Sequence, residues 1–176
     1  MTRHVALFRG INVGGRNSLP MRDLRQIMAS LGCENVKTYI QSGNAVFDAK
    51  AEPVALAVRI EQQIGRQFGF EPAALILPAA EFEAVAAANP YPHAVAEPRT
   101  LHVCFLSAQP RSPDLGALHE LRSGDEAFTL GEGAFYLHAP AGIGRSKLAA
   151  KVEACLGVAT TSRNWNTVAK LLELIG

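Results

Sequence analysis

The sequence has few cysteines, no long apolar run and almost no net charge, and each of these features argues against a class of protein. The cysteines number three in 176 residues, and Cys33, Cys104 and Cys155 lie far apart. An odd number at such spacing argues against both a disulfide framework and a zinc site. Each cysteine falls where the pattern of its helix or strand calls for a small apolar residue, so we expect all three to pack as such.

Long hydrophobic runs are also missing. No apolar stretch reaches the ~18 residues that a membrane-spanning helix needs, and the first residues read as a strand, without the basic and apolar regions of a secretory signal. We therefore expect a cytoplasmic protein with no membrane partner. With 48% apolar and 19% charged residues, the composition is that of a folded globular chain rather than a disordered one.

The formal net charge of +1 conceals an uneven distribution of charge. Residues 1–50 carry seven basic and three acidic side chains, residues 51–138 carry five and eleven, and residues 139–176 carry five and two. If the two basic ends meet in the fold, their fields add and attract an anion to the junction. The alternative is that these charges lie on two unrelated, solvated faces.

The order of predicted elements occurs twice along the chain. Apolar periodicity predicts strand, helix, hairpin, helix, strand and helix in residues 1–89, and the same order in residues 99–176. Residues 90–98 contain three prolines and are expected to connect the two parts. We therefore predict an α+β fold of two tandem ferredoxin-like (βαββαβα) subdomains, each an antiparallel sheet with helices packed on it.

Four short stretches, which we call the four polar segments, lie beside strongly apolar elements: residues 9–17, 41–44, 142–147 and 163–167. They combine cationic, amide and glycine residues. A glycine-rich passage into a helix start brings backbone N–H groups close to an anion, and the helix terminus adds partial positive charge. The candidate ligand-binding residues are Arg9, Asn12, Gly14, Gly15, Arg16, Gln41, Asn44, Arg145, Ser146, Lys147, Arg163, Asn164, Trp165 and Asn166.

Each polar segment also has an interpretation without a ligand. The glycines can adopt the dihedral angles of a long turn, and Asn12 and Asn17 can cap nearby N–H groups. Ser146 and Asn166 can be helix N-caps, as can the Ser112-Pro113 pair before another predicted helix, and Trp165 can be a core residue. The glycine spacing fits neither the dinucleotide fingerprint nor the Walker pattern.

Simple energetics indicates the kind of anion. Two or three charge-assisted hydrogen bonds of ~1.5–3 kcal/mol each are largely offset by the ~4 kcal/mol or more that association costs. Affinity then requires stacking or apolar burial, for which Trp165, Tyr39 and Tyr136 are candidates. We expect a nucleotide or sugar phosphate at a basic junction between the subdomains. Alternatives are a single-stranded nucleic-acid-binding module or a non-catalytic interaction scaffold whose motifs join the two halves.

No catalytic constellation is complete in the sequence. The five histidines show no metal-binding spacing, no serine lies in a G-x-S-x-G motif, and Asp125 and Glu126 read as solvated or turn positions. No cofactor and no metal are predicted, the catalytic residues are unknown, and His138 near the Gly142 loop is the candidate general base for a reaction. The sequence carries no signal for an oligomeric state.

Four motifs resemble the signature of the bacterial domain-of-unknown-function family 1697. They are residues 7–15 (LFRGINVGG), 38–44 (TYIQSGN), 146–148 (SKL) and 163–168 (RNWNTV), and the resemblance extends over essentially the whole chain. It implies a cytoplasmic protein of two α+β subdomains and supplies no activity. Arg16 and Ser18 stand where lysines are common in the family, so no particular ammonium group is required there.

Overall fold

The computed structural model of the chain describes residues 1–176, which form eight strands and six α-helices. The first half contains β1 (Thr2–Arg9), α1 (Met21–Ser30), β2 (Glu34–Tyr39), β3 (Asn44–Ala49), α2 (Pro53–Phe68), β4 (Ala73–Pro78) and α3 (Ala79–Ala87). A 3-10 helix (Pro92–Ala96) precedes β5 (Leu101–Leu106), α4 (Leu115–Leu121), β6 (Ala127–Leu130), β7 (Ala134–His138), α5 (Lys147–Leu156), β8 (Thr160–Asn164) and α6 (Trp165–Ile175).

The strands form two four-stranded sheets with the same internal order. The first sheet runs β2-β3-β1-β4 and the second β6-β7-β5-β8, and every neighbouring pair is antiparallel. The central strand β5 is buried over its whole length, and the central strand β1 is buried from His4 to Phe8. The predicted mixed α+β class, with two antiparallel sheets and helices between the strands, is confirmed.

The chain divides into two compact units. The first consists of residues 1–84 together with residues 170–176, and the second of residues 85–169. Within the first unit, the Arg3 guanidinium donates a hydrogen bond of 2.6 Å to the carbonyl oxygen of Ile175, which ties the last helix to β1. The limits predicted from the sequence stay a prediction, because this division records packing and does not test which segments fold independently.

Apolar residues at helical spacing build each core. In the first unit, Leu24, Ile27 and Met28 of α1 and Leu56, Ile60 and Ile64 of α2 are buried in one cluster with β1 and β3. In the second unit, Leu148, Val152 and Leu156 of α5 are buried in a cluster with β5 and β7. None of the helices combines the length and the apolar character that crossing a lipid bilayer requires.

Two helix ends lie where the sequence predicts them, and two predicted capping residues are wrong. As predicted, Ser146 caps α5, its hydroxyl accepting from the Ala149 N–H at 3.0 Å, and Gly157 ends that helix with a left-handed φ of 71°. The cap of α4 is Asp114 and not Ser112, and the residue that accepts from the first turn of α6 is Asn164 and not Asn166. In both cases the side chain immediately before the helix is the one that reaches its free N–H groups.

Candidate functional site

Residues 13–16 of the first polar segment form a small, exposed hairpin turn. Val13 and Arg16 pair as an isolated bridge, and Gly14 and Gly15 between them have φ of 56° and 73°, as a tight type I′ turn requires. Nothing lies within 4 Å of where a side chain at either glycine would begin. The segment is held to the core by Ile11 and Leu19, which are fully buried.

Asn12 joins this segment to the second one. Its side-chain N–H₂ donates to the carbonyl oxygens of Leu19 at 2.9 Å and Gln41 at 2.7 Å, and its Oδ1 accepts from the Leu19 N–H at 2.8 Å. All of these partners are backbone groups of loops. The amide therefore has a structural role, because it fixes the loop after β1 against the β2–β3 hairpin.

Gly43 and Asn44 in the second segment are also tightly packed. A side chain at Gly43 would begin 2.8 Å from Phe8 Cβ, and the φ of +87° disfavours any other residue. Asn44 is completely buried and donates to the Tyr39 carbonyl at 3.0 Å, which closes the hairpin. The neighbouring Arg9, Arg16 and Gln41 are exposed, as are Gly14 and Gly15, so solvent reaches five of the predicted binding residues of the first unit.

The third polar segment lines a cavity in the second unit. Gly142, Arg145 and Ser146 form one side of it, together with Pro140 and Ala141, and its volume is about 390 Å³. Arg145 is exposed and makes no ion pair. Lys147 is exposed as the first residue of α5 but does not line the cavity. Two of the predicted side chains, Arg145 and Ser146, are therefore brought together at a helix start.

An acidic turn lines the same cavity. It consists of Ser123, Gly124, Asp125 and Glu126 in the turn before β6. Glu126 is only 7% exposed, and its Oε2 accepts from the Ser123 N–H at 3.0 Å. As predicted, both carboxylates lie at turn positions, where the Glu126 N–H donates to the Ser123 carbonyl at 3.2 Å, but the burial of Glu126 was not predicted. The sequence gave little indication that Glu126 is buried, since a single carboxylate before a strand resembles an ordinary turn residue.

The residues of the fourth polar segment make different kinds of contact and do not share one site. Asn164 accepts from the Thr167 N–H at 3.2 Å as the cap of α6, and the half-buried Trp165 donates its backbone N–H to the Pro98 carbonyl at 3.2 Å. Burial lowers the pKa of Arg163 to about 10. Asn166 is exposed and lines a second cavity, of about 430 Å³, with residues 97–100.

The remaining sequence candidates are Tyr136 and His138, and His102 is a further histidine on a strand of the same unit. Tyr136 is 2% exposed and donates from its hydroxyl to the Val85 carbonyl at 2.7 Å, so it cannot stack on a ligand. His102 is buried and its Nε2 lies 3.1 Å from the Arg99 carbonyl oxygen. The ring of His138 packs edge to face on His93 at 5.2 Å, and His138 does not line the cavity beside Gly142.

Each polar segment thus lies within one unit, the first two in the first unit and the last two in the second. Their convergence into one surface stays a prediction. The structure contains no group of three or more His, Cys, Asp or Glu side chains placed to hold a metal ion. What the geometry does provide is one cavity lined by a predicted cation, a capped helix start and two acidic residues, the exposed Asp125 and the buried Glu126.

Comparison with known proteins places the chain among uncharacterised relatives. A family model described as "Protein of unknown function (DUF1697)" matches residues 1–136, and the match therefore ends before the SKL and RNWNTV motifs. A solved structure, that of a conserved bacterial protein from Streptococcus pneumoniae, is 26% identical, with a TM-score of 0.72 over 99% of both chains. No curated protein matches the sequence.

Proposed function

We propose that this chain, which belongs to the protein family of unknown function DUF1697, binds a small phosphorylated ligand in the cavity at the start of α5. The observation that carries the proposal is the position of Arg145 and Ser146, which line one cavity of about 390 Å³ beside the first turn of a ten-residue helix. That volume lies within the range of small-molecule sites. A sugar phosphate or a nucleoside monophosphate is of suitable size.

The phosphate end of the ligand would lie against Arg145 and the start of α5. Because Arg145 has no acidic partner in the structure, its guanidinium is available for a bidentate hydrogen bond to phosphate oxygens. The first N–H groups of a helix carry partial positive charge and add to this attraction. Gly142, with a φ of 92° and no atoms near its missing side chain, leaves the backbone open to a ligand.

The two carboxylates of this cavity restrict how much negative charge the ligand can carry. Asp125 and Glu126 line the same cavity, so each additional phosphate would meet carboxylates as well as the guanidinium. A single phosphate group at the Arg145 side avoids this repulsion. Sugar phosphates and nucleoside monophosphates therefore fit the cavity better than nucleoside triphosphates.

We also propose that both halves of the chain are ferredoxin-like. The order β2-β3-β1-β4, with α1 and α2 connecting the strands, supports this architecture for the first sheet, and the order β6-β7-β5-β8 supports it for the second. For nucleic acid, such sheets need exposed aromatic platforms. The burial of Tyr136 removes one of the two tyrosines considered for that purpose, which favours the small-ligand proposal.

The test is direct binding. Isothermal titration of the full chain with glucose 6-phosphate, ribose 5-phosphate and adenosine monophosphate should give saturable binding of at least one of them. Arg145→Ala should weaken that binding by ~10-fold or more, because a charge-assisted hydrogen bond contributes ~1.5–3 kcal/mol. Lys151→Ala, which removes an exposed cation of α5 that does not line the cavity, is the matched control and should bind as the parent does.

Two results would count against the proposal. The first is no binding of any phosphorylated compound at millimolar concentration. The second is equal loss of affinity in Arg145→Ala and Lys151→Ala, since this would reflect net charge rather than a site.

A further inference from the structure

We propose that the imidazole rings of His93 and His138 bind a divalent transition metal ion of the class of Zn²⁺ on the surface of the second unit. The two histidines lie far apart in the sequence and show no metal-binding spacing, but the fold brings their rings into contact. The site is separate from the cavity beside α5, which neither residue lines. The inference therefore goes beyond the proposed function and does not depend on it.

The first step is that both rings have nitrogen atoms to offer. Neither His93 nor His138 makes a hydrogen bond or an ion pair with the protein. His93 is exposed and His138 is half-buried. The one buried side-chain nitrogen or oxygen without a hydrogen bond is Nδ1 of His4, so the ring nitrogens of His138 are open to solvent. Neutral imidazole nitrogens are the commonest metal ligands in proteins.

The second step is the distance between the rings. Their centroids lie 5.2 Å apart and their planes cross at 81°. Two imidazoles that bind one Zn²⁺ in tetrahedral geometry, with Zn–N bonds of ~2.0–2.1 Å, have centroids roughly 5 Å apart. The two rings therefore already have a separation that suits a shared metal ion. Because His93 is exposed and has no hydrogen bond to lose, its ring can turn to direct a nitrogen towards the common position.

The third step is that the backbone fixes both positions before a metal binds. His138 ends β7, where it is paired with a residue of β5 on one side and of β6 on the other. His93 lies in the 3-10 helix Pro92–Ala96. The ring of Tyr91 packs against both imidazoles at 6.3 and 5.9 Å, and its hydroxyl is hydrogen-bonded to Thr129 of β6 at 2.9 Å. Ligands that are positioned in advance lose less conformational freedom on binding, which favours affinity.

The chemistry of the ligands selects the metal. Imidazole nitrogen suits Zn²⁺, Cu²⁺ and Ni²⁺, whereas Mg²⁺ and Ca²⁺ prefer oxygen ligands. Since no group of three or more His, Cys, Asp or Glu side chains is placed to hold a metal ion, the protein supplies two ligands and water fills the other positions. A metal ion bound in this way would link the 3-10 helix to the end of β7.

The experiment is isothermal titration of the full chain with zinc chloride, and with magnesium chloride for comparison. Zn²⁺ should bind at one ion per chain, and Mg²⁺ should not compete with it. His93→Gln and His138→Gln should each weaken Zn²⁺ binding by ~10-fold or more, because each removes one of the two metal–nitrogen bonds. His119→Gln, which removes an exposed histidine of α4, is the matched control and should bind Zn²⁺ as the parent does.

A second measurement uses the unmodified protein, so it decides the question even if a variant does not fold. Zn²⁺ added to the isotope-labelled chain should shift the nuclear magnetic resonance signals of the ring nitrogens of His93 and His138, and it should leave those of the other three histidines in place.

Three results would overturn the inference. They are no binding of Zn²⁺ at millimolar concentration, shifts at the other histidines instead of this pair, and equal loss of affinity in His119→Gln and the two site variants. The phosphate site is tested with other ligands and other variants, so it stands or falls separately.

Discussion

The side-chain amide of Asn12 donates a 2.7 Å hydrogen bond to the backbone carbonyl of Gln41, across 29 residues of sequence. Two further bonds tie the same amide to Leu19. One side chain thus couples the glycine-rich loop after β1 to the β2–β3 hairpin. This relationship explains why an asparagine stands within the apolar and glycine residues of the first motif, and it leads to the first prediction.

Asn12→Ala should destabilise the first unit by at least ~1–3 kcal/mol, because it removes three hydrogen bonds and leaves loop carbonyls without a donor. The measurement is urea unfolding followed by circular dichroism. Gln41→Ala is the control, since it keeps the backbone carbonyl that Asn12 uses and should change the midpoint little. Equal stability of Asn12→Ala and the parent would show that the coupling contributes nothing.

Gly43→Ala should be strongly destabilising for two reasons. The new side chain would begin 2.8 Å from Phe8 Cβ, and the residue would have to hold a φ of +87°. Gly15→Ala has the same left-handed requirement but open space around it, so thermal unfolding of the two variants separates backbone strain from steric conflict. We expect a clearly lower melting temperature for Gly43→Ala than for Gly15→Ala. The reverse order would contradict the close packing of the two loops.

Tyr136→Phe should destabilise the second unit by ~1–3 kcal/mol, because the Val85 carbonyl would lose its 2.7 Å hydrogen bond in a buried setting. Tyr91→Phe is the matched control. The Tyr91 hydroxyl pairs with Thr129 near solvent, where water replaces the lost partner. Chemical denaturation should therefore show a smaller change for Tyr91→Phe, and similar losses would argue against the buried bond.

His102 should make stability depend on pH. Burial lowers the pKa of His102 below its usual value of 6.5, and the hydrogen bond to the Arg99 carbonyl opposes this only in part. The unfolded chain therefore takes up a proton before the folded one, so this contribution is present above about pH 6.5 and is lost as the pH falls through the lowered pKa.

The measurement for His102 is the melting temperature between pH 7.5 and pH 5. His102→Gln, whose amide can still donate to Arg99, should flatten the decline at the acidic end. The exposed His119→Gln should leave the decline in place. An unchanged profile in His102→Gln would mean that other groups cause the acid sensitivity.

Much of the fold could be predicted because its elements have local signals. Apolar residues three and four positions apart specify α1, α2 and α5, and Pro53, Gly69, Ser146 and Gly157 mark the ends of helices by backbone requirements that act within a few residues. The errors at Ser112 and Asn166 arose where two capping residues compete within three positions. Which one caps a helix depends on where the first turn begins, and this is set by tertiary packing.

The site was harder to predict, because its walls come from distant parts of the chain. Arg145 and Ser146 were found from their place at a helix start, which is a local pattern. Glu126 was missed, because nothing around it indicates burial, and its role depends on the turn before β6 packing beside residues 140–146. Asn12 and Asn44 were recognised as special, but only the structure distinguishes an amide that binds loop carbonyls from one that faces a ligand.

The contact between Arg3 and the Ile175 carbonyl has a practical consequence for handling the protein. Because Arg3 and Ile175 contact each other in the first unit, an affinity tag, a fluorophore or a surface linkage placed beside either residue is attached to that unit. The second unit, which carries the cavity lined by Arg145 and Glu126, is then left unmodified whichever of the two positions is chosen for immobilisation.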